Sequence, residues 1–440
     1  MYTNKQIWDV SYPIFLSLLA QNVINVTDTA FLGRVGEVAL GGSAMGGLYY
    51  ICIFTIAFGF STGSQIVIAR RNGEGNYRDV GPVMIQGVLF LEALAVLLFI
   101  FSRLFGGSIM RVLVSSDEVW NATMEYLNWR VLGFFFAFVN IMFRSLYVGI
   151  TRTKVLTYGS IVMALTNVLL DYLLIFGHCG LPQMGIKGAA IASVLSELAS
   201  MIFFLLCIFK TVDIRKYALN HVGSLQIQLL RKVLGISIFT MLQYFLSMST
   251  YFMFFIAVER LGQRELAVAN IVRSIYIVML IPINALATTT NTLVSNAIGA
   301  GHTNEVLSII KRISLISLYI VSALVVVVCL FPKFIVSVYT NEAALVNDSV
   351  LSIYVISAAL IIGALSMIIF SGVSGTGNTR TAMWIEVITL FFYTISVYYI
   401  GVYLREPVYI CFTVEVVYSI GLLLLSVIYL KKGNWQGKKI

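Results

Sequence analysis

The chain has 440 residues, 59% hydrophobic and only 11% charged, with 29 Lys and Arg against 20 Asp and Glu for a net charge of +9. That balance excludes an ordinary soluble domain and describes an all-α polytopic membrane protein. The excess of positive charge does not mark a nucleic-acid binder, because the basic residues fall in the breaks between apolar runs rather than in one patch.

A membrane-crossing helix needs roughly 20 mostly apolar residues, and the chain divides into about twelve such runs. The first, 10–32, is long, polar on one face and without a small-residue cleavage site, so it reads as a helix rather than a leader. It carries Pro13 and then a stripe of Gln21, Asn25 and Asp28 at helical spacing. Around the second run, 45–69, lie GGSAMGG at 41–47 and FGFSTGS at 58–64, which suit close helix packing. No GxxxxGK[ST] loop accompanies them. A third run spans 82–104. The fourth, 124–149, contains Tyr126, Asn140 and Arg144, the last expected to snorkel to the cytoplasmic interface. In the fifth, 155–177, Asn167 and Asp171 are spaced i, i+4 and share a face. The sixth, 186–210, opens near Ser193 and continues to Glu197.

The longest break, 211–232, reads as a cytoplasmic linker between lobes 1–210 and 233–440. The second lobe holds runs at 233–258, 270–297, 312–332, 349–373, 382–404 and 407–430. Its TTTNT at 288–292 mirrors STGSQ at 61–65, either as a polar mouth or as hydroxyls bonding back into their own helix. Run 349–373 has no Asp or Glu, Glu259 and Glu386 lie close to run ends and are expected at the interface, and Glu415 occupies the twelfth run as Glu197 does the sixth. With the N-terminus inside, roughly nineteen of the 29 Lys and Arg fall in cytoplasmic breaks, which favours both termini in the cytoplasm.

The lobes look related. A shift of 226 positions aligns 34–80 with 260–306 without a gap, pairing Arg34 with Arg260, Gly36 with Gly262, Tyr50 with Tyr276 and Gly75 with Gly301. A second echo sets GITRTK at 149–154 against GNTRTA at 377–382. Two six-helix halves in one orientation form a parallel repeat, the plan of secondary transporters that bind substrate between halves and work by alternating access.

At 1.5 Å per residue, Asp28 lies about 22 Å above Pro13 and Asp171 about 25 Å above Lys154, both in the outer half. Ser193, about 9 Å into a descending helix, reaches a similar level. Asp28, Asn167, Asp171 and Ser193 thus offer four oxygen-bearing side chains at one depth. An isolated charge in the bilayer centre costs about 2.5–3.5 kcal/mol on insertion scales, so two carboxylates need compensation. A shared Na⁺, held by Asp28, Asn167 and Asp171, would supply it; without a metal, two nearby carboxylates disfavour joint ionisation and one keeps a proton. The residues leave Na⁺ and H⁺ both open.

Several segments carry a resemblance. Pro13 followed by TDTAFLGRVGEVAL, EYLNWRVLG at 125–133, TNVLLDYLLIFG at 166–177, GIKGAAIASV at 185–194 and SGTGNTR at 374–380, in this order, resemble the multidrug and toxic compound extrusion (MATE) family of cation-coupled antiporters. The resemblance implies two six-helix bundles around a central cleft in a bacterial inner membrane. It implies export of small organic, often cationic and amphipathic compounds in exchange for Na⁺ or H⁺, with no cofactor beyond that ion. Asp28, Asn167, Asp171 and Ser193 match its cation-coupling residues, Ser193 standing where threonine is more usual, and Tyr126 and Asn140 match polar cavity positions. Acidic ligands that some members carry in helix ten are missing here, which favours coupling in the first lobe. Gln21, Asn25, Glu197 and Glu415 are further candidates for the cavity, and Pro13 is a candidate hinge in a moving first helix. The expected partners are substrate and membrane lipids, with a monomeric chain.

The competing reading is a flippase for a lipid-linked glycan of the same broad superfamily; a channel or receptor is a third. An embedded enzyme is disfavoured. His178, His221 and His302 fall in or near breaks on no common face, and Cys52, Cys179, Cys207, Cys329 and Cys411 are scattered without a CxxC.

Overall fold

The computed structural model describes residues 2–220 and 226–436, so His221, Lys438 and Lys439 lie outside it. All regular structure among the described residues is helical. In hydrocarbon no water can satisfy a backbone N–H or C=O, so an apolar chain that crosses must close its hydrogen bonds within each segment. The helices are α1 (Asn4–Val35), α2 (Glu37–Gly73), α3 (Val80–Leu113), α4 (Asp117–Arg130), α5 (Gly133–Gly149), α6 (Lys154–Phe176), α7 (Gly185–Thr211) and α8 (Ile227–Glu259). They continue with α9 (Gln263–Gly299), α10 (Val306–Leu330), α11 (Pro332–Ser337), α12 (Ala343–Gly375), α13 (Thr379–Val397), α14 (Val408–Cys411) and α15 (Thr413–Lys432).

Among the described residues eleven helices are long and apolar enough to cross a membrane, and a bent pair raises the number to twelve. That pair is the fourth sequence run, which is not one helix: α4 and α5 meet at 54°. The ladder tightens there from i−4 to i−3, with Leu132 N bonding Trp129 O at 3.1 Å and Phe134 N bonding Val131 O at 3.3 Å. A buried ion pair, described below, packs against Gly133 where the two helices meet.

The internal repeat is exact in its connections. α2 and α9 each have 37 residues at the 226-residue offset, each preceded by a glycine at strongly positive φ, Gly36 at 149° and Gly262 at 136°. Each ends in the same hairpin, Gly75 N to Asn72 O at 3.2 Å and Gly301 N to Ile298 O at 3.0 Å, turned by Gly75 at φ 76° and Gly301 at φ 79°. The left-handed region is open to glycine at no steric cost, which explains the paired glycines. The second echo needs correction. Thr151 (φ 60°) and Gly377 (φ 85°) turn the chain at equivalent places, so 149–153 pairs with 375–379 and not with 377–381. The matching letters TRT are displaced by two residues from the matching backbone.

The chain forms two compact units, Tyr12–Met241 and Met1–Ser11 with Leu242–Ile440. Their limits fall inside α1 and α8 rather than at the ends of the 211–232 linker. The reason is visible in the first unit: a Cβ at Gly59 would sit 2.5 Å from Met241 Cα, and Thr240 Oγ1 donates to Gly59 O at 2.6 Å. Small residues on α2 thus admit the start of α8 to backbone contact. The linker joins the same unit, with Gly81 N bonding Tyr217 O at 2.9 Å and Gln226 N bonding Gln86 Oε1 at 2.9 Å.

Gly42 and Gly46 of the Gly-rich stretch face Ala122 and Tyr126 of α4 closely enough that a Cβ would need them to move. Gly188 on α7 does the same against the Leu174 carbonyl of α6, at 2.7 Å. The TTTNT hydroxyls bond back into α9, Thr289 Oγ1 to Ala285 O at 2.9 Å and Thr290 Oγ1 to Leu286 O at 2.8 Å, both residues fully buried. Leu97, Leu104, Leu206 and Phe209 stay exposed, as a lipid-facing surface requires.

Candidate functional site

All features of the site lie within the unit Tyr12–Met241. Gln21, Asn25 and Asp28 line one cavity of about 330 Å³, so the polar stripe of α1 has a common destination. Tyr50 and Phe54 of α2, Tyr126 and Arg130 of α4, Asn140 of α5 and Ser193, Ser196 and Glu197 of α7 also line it.

At one part of the cavity the sequence-predicted carboxylates meet. Asn167 links the two acids, and Ser193 lines the cavity beside Asp28. With its amide turned as its partners dictate, Asn167 donates from Nδ2 to Asp28 Oδ1 at 2.9 Å and to Asp171 Oδ2 at 3.3 Å. Asn167 and Asp171 are fully buried, Ser193 is 7% exposed, and Asp171 Oδ1 has no hydrogen-bond partner. Close packing of α6 on α7 at Gly188 brings Asp171 and Ser193 to this level. The chemical consequence is direct. Two carboxyl groups sharing one amide donor in a buried site disfavour joint ionisation, so the arrangement favours a held proton or a shared cation. Asp28, Asn167, Asp171 and Ser193 supply only oxygen and amide donors, the hard set that suits Na⁺ or H⁺ rather than a soft metal.

In a second feature Glu197 takes the alternative open to it in the sequence, pairing with a neighbouring Arg and Tyr, though sequence reasoning did not single out Arg130. Arg130 and Glu197 form a bidentate ion pair, Nη2 to Oε1 at 2.6 Å and Nη1 to Oε2 at 3.0 Å, with side chains only 11% and 12% exposed. Tyr50 OH donates to Glu197 Oε1 at 3.1 Å, and the guanidinium lies 3.5 Å over the Tyr50 ring, itself stacked on Phe134. Tyr126, one turn before Arg130 on α4, lines the same cavity. Asn140 Nδ2 donates to the Glu197 carbonyl at 2.8 Å. Gly133 supplies the space, because a Cβ there would collide with both the Arg130 and the Glu197 head groups. The available signal was an arginine six residues inside an apolar run, whose charge demands a buried partner.

The remaining candidates fall elsewhere. Pro13 lies within an unbroken α1, just past the boundary between Ser11 and Tyr12, and Thr157 Oγ1 donates to its carbonyl at 3.0 Å. Glu415 belongs to the other unit, where Tyr393 OH donates to it at 2.9 Å. Glu386 is not interfacial: it is 1% exposed and accepts from Ser247 Oγ at 2.6 Å and Tyr418 OH at 2.8 Å. Its place near the start of the 382–404 run misleads, because α13 begins at Thr379 and Glu386 stands about 10 Å into it, under the neighbouring side chains.

The family model MatE matches residues 13–173 and again 240–400, one copy in each half of the repeat. The chain belongs to the MATE family. This MATE protein is 23% identical over 390 residues to a probable multidrug resistance protein NorM of Thermotoga maritima, covering 88% of this chain and 83% of that one. Its fold is that of an outward-facing MATE-family transporter of the MOP superfamily, with a TM-score of 0.88 at 20% identity over 99% of this chain and 97% of the other. A MOP-superfamily transporter from Pyrococcus furiosus superposes with a TM-score of 0.85 at 18% identity, over 98% and 94%. As a member of a transporter family it is a multi-pass membrane protein and not an enzyme.

Proposed function

We propose that this MATE protein exports small organic compounds, often cationic and amphipathic, in exchange for Na⁺ or H⁺, with Asp28, Asn167, Asp171 and Ser193 as the coupling site. The observation that carries the reading is the joining of Asp28 and Asp171 by the Asn167 amide beside a cavity of about 330 Å³, an arrangement that favours a bound proton or cation. The name of the Thermotoga maritima relative, a probable multidrug resistance protein, supports organic cargo. A bacterial inner membrane with both termini in the cytoplasm agrees with the distribution of Lys and Arg. The working unit in this proposal is a monomer in lipid.

Entry of one positive charge down about 100 mV releases about 2.3 kcal/mol, enough for a gradient on the order of fifty-fold. Cation binding at the carboxylates would favour one conformation and cargo the other, with α1 bending near Pro13 as the moving element. The test is efflux of a fluorescent organic cation from proteoliposomes under separately imposed Na⁺ and H⁺ gradients, for wild type and Asp28→Asn. One gradient is expected to drive efflux in wild type and not in the variant. If neither gradient moves the dye while a lipid-linked glycan is flipped, the proposal fails.

A further inference from the structure

The cavity holds a charge of its own. Arg130 lines the same cavity as Asp28, and Tyr126, one turn before Arg130 on α4, lines it too. A guanidinium is always charged, and its planar fork is well matched to a carboxylate. Left without a partner in a buried site it would seek the next anion, because an unpaired buried charge is strongly unfavourable. Glu197 prevents this by taking both arms of the fork, and Tyr50 holds the Glu197 carboxylate from the other side.

We infer that Glu197 is a positioning residue for coupling: it retains Arg130 so that the guanidinium does not become the counter-ion of Asp28 in place of the transported cation. The inference rests on the coupling role proposed above for Asp28. The other titratable groups are Tyr50 on α2, Tyr126 on α4 and Glu197 on α7, which line the cavity, and Asp171 on α6, joined to Asp28 through Asn167; none carries a fixed positive charge. Arg130 is therefore the one permanent cation among the residues lining this cavity, and its place decides whether the carboxylate pair is free to accept an external one.

The consequence separates this role from simple bracing of the α4–α5 bend. If the pair only braced the fold, removing both partners would be at least as harmful as removing one. If Glu197 keeps Arg130 away from Asp28, the single variant Glu197→Gln should be worse for coupling than the double variant Arg130→Met with Glu197→Gln, which has no charge left to misplace. Isosteric apolar replacement of a whole buried pair is often tolerated, whereas loss of one partner is not.

The experiment measures cation-driven dye efflux in proteoliposomes against the concentration of the driving ion, Na⁺ or H⁺, in four proteins: wild type, Asp28→Asn, Glu197→Gln and the double variant. Expected is a rise of at least about tenfold in the ion concentration needed for half-maximal efflux in Glu197→Gln, with return to within about threefold of wild type in the double variant. Glu197→Asp, one methylene shorter, gives a second reading should Glu197→Gln not fold, and an intermediate shift is expected. A wild-type midpoint in Glu197→Gln or Glu197→Asp, or a double variant no better than Glu197→Gln, overturns the inference. Failure of the coupling reading itself looks different: wild type then shows no ion dependence, or Asp28→Asn matches it.

Discussion

The two halves of this transporter share a backbone and differ in how they keep their buried acids. In the unit Tyr12–Met241, Asp28 and Asp171 share the Asn167 amide as their donor. In the other unit, Glu386 accepts from Ser247 and Tyr418, and Glu415 from Tyr393. A lone acid among hydroxyls has donors to itself, whereas two acids sharing one amide repel each other unless a proton or cation joins them. The repeat therefore supplied two similar scaffolds, of which one carries an arrangement suited to binding and releasing a cation.

The comparison breaks first at the carboxylates. Asp28→Asn or Asp171→Asn is expected to reduce ion-driven efflux by more than about tenfold, since loss of one charged ligand is worth more than about 1.4 kcal/mol of cation affinity. Glu386→Gln and Glu415→Gln keep a side-chain acceptor and should leave the ion dependence within about twofold of wild type. Equal loss from both sets would show that the second unit couples as well.

The pH dependence sharpens the same contrast. Asp28 and Asp171, joined by one amide, disfavour joint ionisation when no cation is shared, so under the proposed coupling protons and Na⁺ compete for the pair. Lowering the pH should weaken Na⁺ binding, by up to about tenfold per pH unit in the range where one proton is displaced per ion. Sodium binding by the purified protein, measured at several pH values, checks this. Binding that does not change with pH would mean that Na⁺ enters elsewhere.

Smaller effects concern packing. Gly188→Ala would press a methyl group against the Leu174 carbonyl at 2.7 Å, where backbone must yield, whereas at Gly363 in the other unit the nearest atom is Ser419 Oγ at 3.8 Å. Thermal unfolding in detergent should show Gly188→Ala destabilised by about 1–3 kcal/mol. Gly363→Ala should be neutral or stabilised by up to about 1 kcal/mol, and its destabilisation would refute the account of small residues at close crossings. The smallest expected difference is between Gly75→Ala and Gly301→Ala. Both sit at nearly the same left-handed φ, 76° and 79°, and each should cost about 1–2 kcal/mol; a marked inequality would show that the two hairpins are not equivalent.

Much of the site was legible before the fold was known, because acids are rare in membrane helices and their spacing fixes the face they share. Asn167 and Asp171, four residues apart, could only lie together, and counting 1.5 Å per residue brought Asp28 to their level. Arg130 and Glu197 were present in the same segments without any local spacing to join them. They stand 67 residues apart in sequence and meet only because Gly133 leaves room beside the bend of α4 on α5. Glu386 shows the opposite error, a position near a run end that tertiary packing covers.

The amino-acid sequence by itself determined that the chain crosses a membrane many times, that its halves repeat, and that a polar stripe on the first helix faces inward. Each of these follows from local physics: the hydrocarbon core forces helices, and a buried charge must face protein or a cavity rather than lipid. Only the tertiary structure decided where the compact units divide, that the fourth span is broken, and that the cavity carries a permanent cation of its own. Those outcomes depend on close approaches between distant segments, where the absence of one Cβ admits a helix or an ion pair, and no local pattern records which approach will form.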